Sequence, residues 1–275
     1  MEKNIMTIQS IIDAILAYHP DLGDRRTPDV AVGADTIREC TGILISIAPT
    51  VPVIRKAIET GANFIFVHEP TFFSAYDDDC GWLEGNEVYE EKLALLVDNG
   101  ITVFRDHDHI HAHRPDGIFH YLMKQMGWLE YQKTDRGRWE IVLPPTRLGD
   151  LIAHVKERMG LEHIRYIGNP DAVVSTIGFC GHLLPGAHSN WSNNDQVAAS
   201  WDYDVVIPGE TVDWTLPLYI RDAADLGKAK AMIVPGHFVQ EEAGMRWAGE
   251  WLRPLLHDDA LPITFFSAGD MWKYA

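Results

Sequence analysis

Histidine and carboxylate side chains gather in three short segments of this 275-residue chain. They are His68-Glu69-Pro70, the run Asp106-His107-Asp108-His109-Ile110-His111-Ala112-His113, and Pro235-Gly236-His237 with Glu241 four residues on. Imidazole nitrogen and carboxylate oxygen together suit zinc, manganese, iron and similar divalent ions. Two ions held close together would need carboxylates to screen their repulsion. His237 and Glu241 share one face if a helix starts near His237, and Gly236 permits the tight turn that such a start requires.

Taken singly, each segment has an ordinary explanation. His68-Glu69 reads equally as a surface pair at a strand end, and 106–113 as a solvated polar loop. Glu241 reads as an acidic residue favoured by the dipole of a helix N-terminus. What favours a metal site is their shared position. Each segment directly follows an apolar run (NFIFV, ITVFR and AMIV), and ligands of open α/β sheets collect beyond the carboxyl ends of strands.

The elements that must position these residues follow from the apolar pattern. Helices are expected over 7–19 (Ile8, Ile11, Ile12 and Ile15 on one face), 51–60, 88–98, 117–128, 146–159 with a Thr146 cap, 217–226 and 241–256. Strands are expected over 42–48, 63–67, 101–105, 139–143, 173–179, 204–207, 231–234 and 263–266. Segments 74–86 and 181–195 read as loops. The alternation of strand and helix, with nearly continuous apolar strands, predicts an α/β fold of mainly parallel sheets covered by helices. The stretch YQKTDRGR at 131–138 suggests a first lobe over 1–132 and a second over 133–275, whose C-terminal part packs back on the first.

Composition narrows the function classes. There are 23 Lys+Arg against 40 Asp+Glu, a formal charge of −17. That balance disfavours a nucleic-acid surface and an anionic membrane. Cys40, Cys80 and Cys180 form no CxxC, which argues against a disulfide framework and for a reducing compartment. No signal peptide or membrane-length apolar run is read, so a cytoplasmic location is expected. GxSxG and Walker-type sequences are missing. The HxH within 107–111 resembles that of amidohydrolases, although the chain is short for their eight-stranded barrel. The HxHxDH order of metallo-β-lactamases is broken, since residue 111 is His. His182 and His188 are weak further candidates, while His19, His120, His154, His163 and His257 read as structural.

The order of signals resembles the Nif-three-like family, often labelled type 2 GTP cyclohydrolase or dinuclear metal centre protein. The resemblance runs over about residues 35–256, through GILISIA, VPVIRKAIETGANFIFVHEPTFF, ITVFRDHDHIHA, DVVIPGE and AMIVPGHFVQEEAGM. It implies that His68 matches the first member of the family's HHP pair, with Glu69 at the second His position. His107 matches the His of the HTxxD-like segment, and His111 falls on its Asp. His237 and Glu241 match the late GHxxxE ligands, and Gly209-Glu210 resembles the family's Gly-Asp turn. Two ligand positions have thus exchanged type, and the WDNVG-like segment is replaced by RTPDVAVGAD. Asp106 or Asp108 could supply the missing acid, although spacing favours His111.

The resemblance implies two α/β lobes, a toroidal homohexamer and one or two divalent ions per subunit. The expected ligands are His68, Glu69, His111, His237 and Glu241, with His107 as the group for proton transfer or ligand orientation. The expected function is metal-dependent hydrolysis of a small, nucleotide-like or cyclic amide substrate by activated water. The alternative is a non-catalytic metal-binding scaffold or regulatory ring. An amidohydrolase-like barrel is a third, weaker reading.

Overall fold

The computed structural model describes residues 6–134, 139–179, 197–198, 200–256 and 258–275. The chain folds as two compact units, one of Met1–Ile118 with Glu242–Met271 and the other of Phe119–Glu241 with Trp272–Ala275. The units part at Ile118 rather than after 132, because the helix that follows belongs with the second unit. There α5 (Phe119–Met126) is tied to α6 (Leu148–Met159) by hydrogen bonds from Arg158 Nε to the Gln125 carbonyl at 2.6 Å and from Gln125 Nε2 to the Arg158 carbonyl at 2.8 Å.

The first unit is built on a five-stranded sheet ordered β1 (Ala31–Gly33), β4 (Thr102–Arg105), β3 (Phe64–Val67), β2 (Ile43–Ile45) and β11 (Ile263–Phe265). Only the β1–β4 pairing is antiparallel. ILI and FIFV carry no polar residue, TVFR only Thr102 and Arg105, and every residue of β2, β3 and β4 is buried. Helix α1 (Ile8–Tyr18) turns Ile8, Ile11, Ile12 and Ile15 inward, and the Thr7 hydroxyl caps it by accepting the Ser10 N–H at 3.1 Å. Helix α2 (Val51–Thr60) opens on Pro52 and closes at Gly61, whose φ of 73° lets its N–H reach back to the last carbonyls. Helix α3 (Glu87–Asp98) is capped by Asn86. A core of Leu44, Ile54, Ile65, Val103 and their neighbours fills the space between α2, α3 and the sheet.

The second unit has a six-stranded sheet ordered β5 (Gln132–Thr134), β6 (Trp139–Arg147), β8 (Val173–Phe179), β9 (Val205–Ile207), β10 (Ala231–Val234) and β7 (Arg165–Ile167). Here β8–β9 and β9–β10 are parallel and the other three pairings antiparallel, more than the strand–helix alternation suggests. Tyr203, Val206, Leu216, Ile220 and Met232 form its core under α7 (Leu216–Asp225). The expected Thr146 cap is not found. Strand β6 runs on to Arg147 through an irregularity between Val142 and Thr146, α6 starts only at Leu148, and the Thr146 hydroxyl donates to the Pro144 carbonyl at 2.7 Å. The last helix, α8, spans His237–Leu256, one turn longer at its start than 241–256.

The described strands therefore form two open sheets, which removes the barrel reading. Among the described residues no helix is long and apolar enough to cross a membrane. The expected loop 181–195, with His182 and His188, lies outside the described residues, as do Cys180 and His257.

Candidate metal centre

Register brings the first-unit residues together. Strands β3 and β4 are parallel neighbours with Val67 opposite Arg105, so the next residues, His68 and Asp106, emerge side by side. The His68 ring nitrogen Nδ1 lies 3.0 Å from the Asp106 carbonyl oxygen. A carbonyl can only accept, so Nδ1 carries the proton and the ring lone pair sits on Nε2.

Immediately after Asp106 the chain turns into a short helix, α4 (Asp108–Ala112). One carboxylate starts it. Asp29 Oδ1 accepts the His107 and Asp108 N–H groups at 2.8 and 2.9 Å, and Oδ2 accepts the His109 N–H at 2.9 Å. The helix closes with the His111 N–H on the His107 carbonyl at 3.2 Å, which sets the two imidazoles on one face.

The result is a cluster of three rings. His68 and His107 are stacked with centroids 4.6 Å apart. His111 stands edge-on to both, at 4.9 and 5.1 Å. One ligand nitrogen from each lies within 4.8 Å of the other two. Each ring is held through Nδ1 by an oxygen: His68 by the Asp106 carbonyl, His107 by Asp108 Oδ1 at 2.9 Å, His111 by Asp116 Oδ2 at 3.0 Å. Burial, with the neighbouring His68 ring, pushes the His107 pKa down to about 4, so at neutral pH this ring is an uncharged donor. The hydrogen bond from His107 holds the Asp108 carboxyl below its ordinary range. This donor set fits a divalent ion, since neutral imidazoles with the outer nitrogen hydrogen-bonded are the usual form of ligating histidine.

Glu69 is buried and offers an oxygen within 4.8 Å of a His68 ring nitrogen. Arg105 Nη2 lies 3.9 Å from its Oε2. Arg105, itself buried, also ties down the turn after β3 by donating from Nε to the His68 carbonyl at 2.9 Å and from Nη1 to the Ala75 carbonyl at 2.7 Å.

In the second unit, β10 leads through Pro235 and Gly236 (φ 109°) into α8. His237 Nε2 and Glu241 Oε2, one turn apart, are separated by 2.8 Å, and His237 Nδ1 is 3.2 Å from Glu210 Oε1 in the turn after β9. The pair shares a proton at Nε2 where an ion could take its place.

The other polar residues of the run 106–113 are engaged elsewhere. Asp106 is fully buried, with Oδ2 2.9 Å from His19 Nε2 and Oδ1 accepting the Ile110 N–H at 3.1 Å, so it does not stand in for the acid lost at 111. Asp108 is turned to His107, and His109 Nδ1 to Asp29. Asp29, Asp106 and His109 also meet the spacing of a metal group, but their carboxylates serve backbone N–H groups of α4. His113 packs flat on Tyr18, which stacks on Trp251. His107, read from sequence as a proton-transfer group, is placed as the third imidazole of the cluster. Asp116, Asp29 and Glu210 are the residues sequence reasoning did not assign. Glu210 had a signal in the Gly209-Glu210 turn, whereas Asp116 and Asp29 had none.

Comparison with known proteins identifies the fold and the family. A curated relative from Clostridium perfringens, named "GTP cyclohydrolase 1 type 2 homolog", is 21% identical over 249 residues, covering 87% of this chain and 88% of that protein. Among solved structures, a hypothetical protein of Staphylococcus aureus superposes with a TM-score of 0.74 at 16% identity, covering 99% of this chain and 100% of that one. A Bacillus cereus protein related to NIF3 follows at 0.70 and 14%, with 99% and 100% covered. These identities speak for the fold alone. The family model described as Duf34/NIF3 (NGG1p interacting factor 3) matches residues 6–269, so nearly the whole of both units, with the histidine-bearing strand ends inside it, places the chain in the Duf34/NIF3 family.

Proposed function

We propose that this protein binds a divalent metal ion and uses it to hydrolyse a small molecule. The observation that carries the reading is the trio His68, His107 and His111, each with Nδ1 anchored to oxygen and a ligand nitrogen close to the other two. Glu69 supplies a further donor beside His68 in the first unit, and His237 with Glu241 form a candidate donor pair of the second unit. We assign His107 as a ligand rather than a proton carrier, because its ring is uncharged and faces His68 and His111. One or two ions of the zinc, manganese or iron type suit this mixture of imidazole and carboxylate.

A bound ion of this kind supplies Lewis acidity and lowers the pKa of water toward neutrality. The protein's own part is to fix the imidazole tautomers and keep the donors deprotonated. Arg105 holds the buried Glu69 charge and the turn that carries it. The name of the Clostridium relative points to ring-opening hydrolysis of a nucleotide-like substrate. The net charge of −17 favours a substrate recognised locally rather than by long-range attraction.

A second reading is a non-catalytic metal-binding scaffold, in which protein ligands would fill the ion's coordination; the three imidazoles lie within ligand spacing of one another, and Glu69 within that of His68. Metal analysis of the purified protein, followed by a hydrolase screen with added manganese or zinc, tests the proposal. Metal bound without turnover of any nucleotide or cyclic amide selects the scaffold, and no metal at all refutes both. The family resemblance further suggests a homohexamer, and the net charge of −17 a small-molecule partner rather than nucleic acid or an anionic membrane.

A further inference from the structure

His111 occupies a position where the family resemblance expects an acidic ligand, so at 111 itself a neutral ring stands in place of a carboxylate, while Glu69 brings an acid to a position where histidine is expected. The structure shows a carboxylate one bond further out. Asp116 Oδ2 lies 3.0 Å from His111 Nδ1, and its other oxygen accepts the Ile118 N–H at 2.8 Å. Both oxygens are thereby oriented, and the pair is only partly exposed, at 25% for the His111 side chain and 13% for that of Asp116.

We propose that Asp116 is a positioning residue for the metal centre, which selects the His111 tautomer and passes anionic character through the ring to Nε2. This rests on the metal-binding reading above. The chemistry is that of a carboxylate–histidine–metal chain, in which the outer carboxylate fixes the ring and raises its basicity as a ligand. The three anchors differ in strength. His68 leans on a neutral carbonyl, and the Asp108 carboxylate behind His107 is shared with Arg25 at 3.4 Å. Asp116 is the carboxylate anchor behind the ring that stands where the resemblance expects an acid, and it holds that ring from five positions along the chain.

The test is a double-mutant cycle on the full chain, read by chelator competition for zinc and by the visible absorption of the cobalt-substituted protein. Asp116→Asn has a single acceptor oxygen. With that oxygen on the Ile118 N–H, it presents N–H to His111 and favours the wrong tautomer. Asp116→Ser can still accept locally from the backbone but is too short to reach the ring. Both should weaken zinc binding by about 10–100-fold and alter the cobalt spectrum. Thermal unfolding of the metal-free variants reads any loss of the Ile118 cap separately. In a His111→Asp background the ligand is already anionic, and Asp116→Asn should change affinity less than about threefold, the coupling expected of residues acting as one unit. Equal losses in both backgrounds, or unchanged zinc affinity in both single variants, would overturn the role of Asp116. Failure of the unaltered protein to bind zinc or cobalt would instead bring down the metal reading itself.

Discussion

Asp29 is the residue whose loss should be felt most sharply at the histidine cluster without touching any ring in it. Its side chain is 1% exposed and takes three backbone N–H groups at the start of α4, at 2.8, 2.9 and 2.9 Å. Asp29→Ala removes a helix cap, which costs ~0.5–2 kcal/mol, and strands buried donors at ~1–3 kcal/mol each where water does not replace the oxygen. Partial rehydration limits the sum, and ~3–5 kcal/mol is expected, the range that marks a broken buried network. Asp29→Asn keeps one acceptor and should lose about a third of that. Hydrogen exchange followed by mass spectrometry over residues 105–113 is the direct assay. A local loss of ~3 kcal/mol predicts about 100-fold faster exchange of the His107–His109 amides, since each ~1.4 kcal/mol is tenfold. Zinc affinity should fall with it, because His107 and His111 ride on this helix. Protection within about threefold of the unaltered protein would refute the assignment of Asp29 as the device that starts α4.

Four further outcomes follow, three from the geometry and one from the family resemblance. His107 titrates near 4 when folded against an ordinary 6.5, so the unfolded chain binds the extra proton between those values. Stability of the metal-free protein should be full above pH 6.5 and fall toward pH 4 by up to ~1.4 kcal/mol per unit, and denaturation of His107→Gln should show a flatter profile. Arg105→Ala removes the guanidinium 3.9 Å from buried Glu69 and both carbonyl contacts, and should destabilise by ~3–5 kcal/mol in urea unfolding, with Arg105→Lys failing to restore both carbonyl contacts. His237→Ala should lower metal content with circular dichroism unchanged, and unaltered metal would remove this residue from the ligand set. Light scattering should give about six times 31.0 kDa, whereas a clean monomer at micromolar concentration would remove the ring.

The parts legible from sequence were those that physics writes into contiguous residues. FIFV, AMIV and the run around Ile43–Ile45 announce buried strands because nothing polar interrupts them. Val51–Thr60 was bounded to the residue by Pro52 and Gly61. Strands β1, β5 and β7 escaped because each is a three-residue edge strand, and the burial of β1 and β7 is only partial. Helix α4 escaped because DHIHA has a single large apolar side chain, Ile110, and therefore no period, while its start is dictated by Asp29 from 78 positions away. Strand β6 was cut short at Leu143 since Pro144-Pro145 argues against a strand, yet the irregularity there absorbs both prolines. His68, His107 and His111 were visible as donors beyond strand ends. Their anchors were not, because hydrogen-bond partners such as Asp116 are chosen by tertiary geometry and leave no spacing rule behind.

Strand β11 pairs in register with β2, Ile263 beside Ile43 and Phe265 beside Ile45. On the ribosome these partners are born far apart. The 263 − 45 = 218 positions between them take roughly 10–40 s to synthesise at ~5–20 residues per second. Throughout that interval the apolar β2 edge has no neighbour on one side, while residues 119–241 of the second unit have time to fold. The sheet of the first unit is thus begun before that of the second and completed after it. A nascent chain stalled before residue 263 should expose this edge to chaperones, and a fragment ending at 132 should be recovered from cells mainly as aggregate.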